Sequence, residues 1–224
     1  MTWFDGTMLI NIGAVCYIIA FALRGELSLR ALTLLGNIFY IVYYLTVPEV
    51  TLWFAIASTV LMTVANIAVM TRIALERTTW QMTEKDKNLY QDFANFSPGQ
   101  FRRLLKIAQT VHPEKGRMIL RGGEATDKLH YIVSGEAQII KNGETFLLHP
   151  SNFVGEIAWL LSGPATADVI ARENIEILTW DKAALNILCR KWPDIDNALR
   201  ARINQDLARK LSGSVQHGPA VMPA

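Results

Sequence analysis

Hydrophobic positions dominate the first third of the chain in three runs, 7–23, 31–47 and 50–71, the last reading VTLWFAIASTVLMTVANIAVMT. Apolar residues occupy every side of these runs rather than one face, and each run is about as long as a helix needs to cross hydrocarbon. Three transmembrane helices are therefore expected within residues 1–72. A secretory signal peptide is a poor reading of the first run, because Met1-Thr2-Trp3-Phe4-Asp5 supplies no basic leader. Beyond Arg72 the pattern changes. Residues 73–92 carry charges but neither Gly nor Pro, and predict a helical linker. Ser97-Pro98-Gly99-Gln100 is a helix start with N-cap, proline and capping box, after which Phe101, Leu104, Leu105, Ala108 and Val111 share one face.

From Lys115 the period falls to two. Short strands are predicted at 117–120, 129–133, 137–140 and 145–148, separated by Gly122-Gly123, Ser134-Gly135 and a hairpin at Asn142-Gly143. Strands this short and this regularly spaced predict a small antiparallel jelly roll. A further strand at 175–180 precedes a helix capped by Asp181. Pro193 then opens a last helix in which Ile195, Leu199, Ile203, Leu207 and Leu211 recur every fourth residue, drifting about 40° per step. The expected class is α+β: three membrane helices, the linker, a β-roll with flanking helices over 93–212, and a disordered tail over 213–224.

Charge sharpens this picture. The 51% hydrophobic share is concentrated before Arg72, and the net charge of +2 is too small to argue for nucleic acid. Arg24, Arg30, Arg72 and Arg77 fall on one side of the three runs; Asp5, Glu49 and the aromatic residues Trp3, Phe4, Tyr43, Tyr44 and Trp53 fall on the other. The positive-inside rule puts the amino terminus outside and everything after Arg72 in the cytoplasm of a multi-pass plasma (or bacterial inner) membrane protein. Asn11, Asn37 and Asn66 within the runs read as packing glue between helices or protomers, and the runs contain no ionisable residue that would mark a transport path.

The stretch 151–171, SNFVGEIAWLLSGPATADVIA, carries the chemistry. Phe153 anchors a turn at Gly155, a short helix starts at Glu156, and Gly163-Pro164 ends it. The glycine lets backbone approach a ligand, the first amides of the helix lack intrahelical partners, and the glutamate can accept hydrogen bonds from hydroxyls. Phe153-Val154-Gly155-Glu156-Ile157-Ala158, followed by Pro164 and Ala165-Thr166-Ala167, resembles the phosphate-binding cassette of cyclic nucleotide-binding domains. That resemblance implies amides around Gly155 to Ala158 on a cyclic phosphate, Glu156 on a ribose hydroxyl, and an arginine at position 165. Ala165 stands there instead, with Thr166 as a neutral donor beside it, and Asp168 and Glu173 nearby bring the wrong sign for an anion.

The three runs leading into such a roll also resemble the Popeye-domain proteins, a family described as binding cAMP through other motifs, which this chain does not match. No metal spacing, P-loop or nucleophile elbow is present, and no helix-turn-helix follows the roll, so neither an enzyme nor a transcription regulator is expected. Two readings stay open. One is a membrane-anchored cyclic nucleotide sensor, with cAMP the regulatory ligand and an unidentified membrane protein regulated. The other is a ligand-blind scaffold. Either is expected to form a homodimer through the membrane helices and the last helix.

Overall fold

Three helices make up the first unit, which ends at Thr78: α1 (Gly6–Ala22), α2 (Glu26–Thr46) and α3 (Trp53–Arg77). The computed structural model of the chain describes residues 6–46, 52–141 and 143–215, so Trp3, Phe4, Asp5 and Glu49 of the topology argument lie outside the described residues. Helices α2 and α3 are long and apolar enough to cross a membrane. Helix α1 is shorter, its 17 residues reaching about 26 Å against a hydrocarbon core of about 30 Å. Among the described residues two helices, rather than the expected three, therefore meet the length criterion. The apolar surface of the unit faces outward, Phe54 being 95% exposed.

Helix α2 begins five residues before the predicted run and takes in Glu26 and Arg30, which pair one turn apart at 3.2 Å. Arg30, which the sequence reading left in the loop, thus belongs to the first turns of the second helix. Arg30 Nη1 donates to Asn66 Oδ1, and Asn66 Nδ2 donates to the Arg30 carbonyl, both at 3.2 Å. Asn37 is fully buried, accepts from the Tyr17 hydroxyl, and donates to Thr63 Oγ1 at 2.8 Å. It joins all three helices. Asn11, by contrast, is exposed.

Residues 73–92 are not one helix. Helix α3 stops at Arg77, Thr78 is extended, and α4 (Glu84–Tyr90) starts afresh behind Thr83. The Thr83 hydroxyl accepts from Asp86 N while the Asp86 carboxylate accepts from Thr83 N; this capping box needs an extended N-cap and so interrupts the chain. A 3-10 turn at Gln91–Phe93 leads to α5 (Pro98–Lys106), capped by Ser97 and Gln100 as predicted. The helix ends before Ala108 and Val111, which belong to a strand.

Among the described residues eight strands follow: β1 (Ala108–Val111), β2 (Met118–Leu120), β3 (Lys128–Ser134), β4 (Ala137–Lys141), β5 (Glu144–Leu148), β6 (Phe153–Val154), β7 (Asp168–Ala171) and β8 (Glu176–Asp181). They form two antiparallel four-stranded sheets, ordered β1-β8-β3-β6 and β2-β7-β4-β5, the predicted roll. Lys141 pairs with Glu144, which closes the β4–β5 loop on two residues; Asn142 of that hairpin lies outside the described residues. Alternation along β3 and β8 sends Leu129, Tyr131, Leu178 and Trp180 toward the helices and Ile132 and Ile177 into the roll.

Between β6 and β7 lies α6 (Glu156–Leu161), and β8 leads through the Asp181 cap into α7 (Lys182–Lys191) and α8 (Pro193–Val215). Helix α8 includes Gly213 to Val215, the start of the predicted tail; residues 216–224 lie outside the described set. Ile195, Leu199 and Ile203 are fully buried, Leu207 is half-buried and Leu211 exposed. The drift of a four-residue repeat on a 3.6-residue helix carries the later members off the core. Arg202 and Asp206 rotate in to take their place.

Candidate functional site

The cassette is built on one strand pair and one left-handed turn. Strand β6 lies against β3, with Phe153 opposite Tyr131 and Val154 opposite His130. Phe153 packs edge-on to Tyr131, ring centroids 4.9 Å apart, and to Phe93 at 6.1 Å. Gly155 then adopts φ +82°, and a Cβ there would stand 3.2 Å from the Lys128 carbonyl. Only glycine meets both conditions without strain. Helix α6 follows, with Trp159 N bonded to the Gly155 carbonyl at 3.0 Å, and a second left-handed residue, Ser162, ends it.

The return segment is tied to the β2–β3 turn. Ala165 N donates to the Glu124 carbonyl at 2.9 Å, and Gly123 N donates to the Ala165 carbonyl at 2.8 Å. Ala165 is buried, Ala167 half-buried and Thr166 exposed. Asp168 Oδ1 accepts from Gly122 N at 2.6 Å, and Glu173 accepts from Glu136 N. Both carboxylates that looked hostile to an anion are thus occupied with backbone N–H groups of the roll.

Glu156 and Ala158 are buried and Ile157 half-buried. Above them α8 supplies what the sequence reading did not foresee. Lys210 Nζ donates to Glu156 Oε1 at 2.8 Å, pairs with Asp206 Oδ2 at 2.9 Å, and donates to the Phe153 carbonyl at 2.6 Å. Asp206 accepts from Phe153 N, while Arg202 donates to the carbonyls of Asp92 and Ser151. Asp92 in turn accepts from the hydroxyls of Tyr131 and Ser151. Burial and the adjacent Asp92 carboxylate push the Tyr131 phenol well above its ordinary range. The signal available in sequence was the spacing of Arg202, Asp206 and Lys210, four apart and alternating in sign beside the apolar stripe.

A cavity of about 260 Å³ adjoins the cassette. Leu120, the 124–128 turn, Arg121 and His130 line it, and Leu120 comes within 4.0 Å of the position a Gly155 Cβ would take. Its two cations, Arg121 and Lys128, are matched by Glu124 and Asp127, and Arg121 pairs with Glu124 at 3.3 Å. His130 Nδ1 lies 2.9 Å from Thr179 Oγ1; burial foremost, and then the Lys128 charge, lower its pKa to about 4, so it is a neutral group at pH 7. Glu156, Ile157, Ala158 and Thr166 do not line this space. Among the described residues no cluster of side chains suited to a metal ion occurs.

Residues 110–191 match the sequence model of the family described as the cyclic nucleotide-binding domain. The chain is 26% identical over 150 residues to a cAMP-dependent protein kinase regulatory subunit of Schizosaccharomyces pombe, covering 62% of this chain and 36% of that protein. It is 28% identical over 100 residues to a cyclic nucleotide-gated potassium channel of Rhizobium etli, covering 43% and 28%. The chain spans about a third of the length of these curated relatives. Among solved structures, a cyclic nucleotide-binding domain from Methylobacillus flagellatus superposes with a TM-score of 0.53 at 20% identity, covering 62% of this chain and 90% of that one. The matched residues run from β1 to α7, so it is the roll with its following helix that resembles a cyclic nucleotide-binding domain.

Proposed function

We propose that this chain is a membrane-tethered cyclic nucleotide sensor, that cAMP is its ligand, and that occupancy of the cassette is passed on through α8. One observation carries the reading: Gly155 in its left-handed turn sets a buried carboxylate, Glu156, in a cassette that the end of α8 covers through Lys210. Glu156 holds the ribose and the amides beside it hold the phosphate. The tether is α2 and α3, with α1 as a shorter third helix, in the layout that the Popeye-domain resemblance implies. In this reading Arg72 and Arg77, in the last two turns of α3, mark its cytoplasmic end, and the roll that follows is cytoplasmic. A homodimer through the membrane helices and α8, and a regulated membrane protein, belong to the same reading.

Ala165 sets the affinity. Replacing a guanidinium–phosphate pair with neutral donors removes about 1–3 kcal/mol, so micromolar or weaker binding is expected. Isothermal calorimetry of the full chain in detergent, with cAMP and cGMP, tests this, and Glu156→Ala must weaken what is observed. The scaffold reading draws support from a different fact, that Lys210 already occupies Glu156. It prevails if neither nucleotide binds the wild type or a variant in which that lysine is removed.

A further inference from the structure

Lys210 has three N–H donors, and the structure gives them three acceptors: a backbone carbonyl at Phe153 and the carboxylates of Glu156 and Asp206. The Glu156 side chain is 8% exposed and Lys210 21%. Among the described side chains of α8, Lys210 is the last that is not exposed. The seam beneath it is imperfectly closed. Arg202 Nη1 and Asp206 Oδ1 are both buried without a hydrogen-bond partner, and they face each other at 3.9 Å, beyond bonding distance. Unsatisfied polar atoms in a low-dielectric seam raise the free energy of the closed arrangement. Lys210 therefore ties the end of α8 to the cassette over an under-satisfied layer.

We infer that Lys210 is a latch. It holds the carboxy-terminal turns of α8 against the cassette by occupying Glu156, and a ligand hydroxyl presented to Glu156 competes with it and frees those turns. This rests on the reading of Glu156 as a nucleotide-binding residue, and it fixes the direction of the switch: closed without ligand, open with it. Removing the lysine should free the helix end and strengthen ligand binding together, because the same carboxylate is released in both events. A lysine that only stabilised the fold would weaken binding when removed.

Hydrogen–deuterium exchange and calorimetry on the full chain in detergent, for wild type, Lys210→Met and Lys210→Gln, decide it. Glutamine keeps a donor for the Phe153 carbonyl while removing the charge, and serves if the methionine variant fails to fold. Without nucleotide, amides over 207–215 should exchange faster in the variants than in wild type, with β3 and β8 unchanged. With cAMP, wild-type exchange over 207–215 should rise toward the variants, and the variants should bind roughly ten- to hundred-fold more tightly. If wild type and variants bind cAMP equally, or binding slows exchange over 207–215, the latch is wrong while the sensor stands. No binding by any of the three overturns both.

Discussion

His130 makes the roll sensitive to acid. Its imidazole is 7% exposed, on the inner face of β3 opposite Thr179, with Lys128 close by. Desolvation first, and the lysine charge second, lower its pKa from 6.5 to about 4; Asp127 opposes them. A depressed histidine pKa means that the unfolded chain binds the proton more readily. Stability is then complete above pH 6.5 and falls as pH drops toward 4, at up to about 1.4 kcal/mol per pH unit. From pH 7 to pH 5 the loss is about 2 kcal/mol, and the whole window is worth about 3 kcal/mol. Trp180 is buried in the helix-side core and reports unfolding of this unit by fluorescence. The melting temperature of the full chain in detergent should fall between pH 7 and pH 5, and the fall should shrink in His130→Gln. Carboxylates titrate in both proteins, so the difference between them isolates the imidazole. Parallel melting curves for the two proteins would refute the account of His130.

Other changes test separate joints of the structure. Gly155→Ala puts a Cβ against the Lys128 carbonyl in a left-handed conformation, and should cost about 1–3 kcal/mol in thermal stability and weaken nucleotide binding further. Trp180→Phe deletes the donor to the Leu104 carbonyl, 2.9 Å away, and leaves a gap; a loss of about 1–3 kcal/mol in denaturant melts is expected. Cys189 is held as a thiol by burial and by the Asp196 carboxylate, its pKa raised to about 12. Iodoacetamide at pH 8 should label it, by peptide mapping, only after unfolding.

Much of this fold could be read from residue order because local chemistry and tertiary packing agree. Ser97 with Gln100 and Asp181 before Lys182 cap helices where the pattern put them, and the period-two runs became β2 to β5 almost residue for residue. The misreadings fall where a second signal competed with the first. Ala108 and Val111 continue a helical face, but pairing Ala108–Val111 with β8 draws the segment into the sheet. The polar, helix-tolerant stretch after α3 concealed a capping box at Thr83, because a threonine followed three residues later by aspartate is unremarkable among so many charges.

At the cassette the turn was legible and its neighbours were not. Gly155 and Glu156 announce a backbone device in consecutive residues, whereas their partner Lys210 lies 54 residues away on another element. The pattern of α8 shows a drifting apolar stripe, but not which residues replace it against the core. A helix whose apolar stripe drifts must finish by burying whatever stands beside that stripe, and here those residues are Arg202, Asp206 and Lys210. Charges are costly to bury unless paired, so their presence there requires counter-groups on the surface they meet. Glu156 is such a counter-group. Under the proposed reading the missing arginine and the half-buried lysine bear on one question: a cassette with Ala165 gives a phosphate no fixed cation, so the carboxylate becomes the charged contact for which ligand and helix compete. Restoring the guanidinium with Ala165→Arg should then strengthen cAMP binding in the Lys210→Met background and in wild type by a similar factor, since the two act on different ends of the ligand. Strong non-additivity between them would place Lys210 on the phosphate instead.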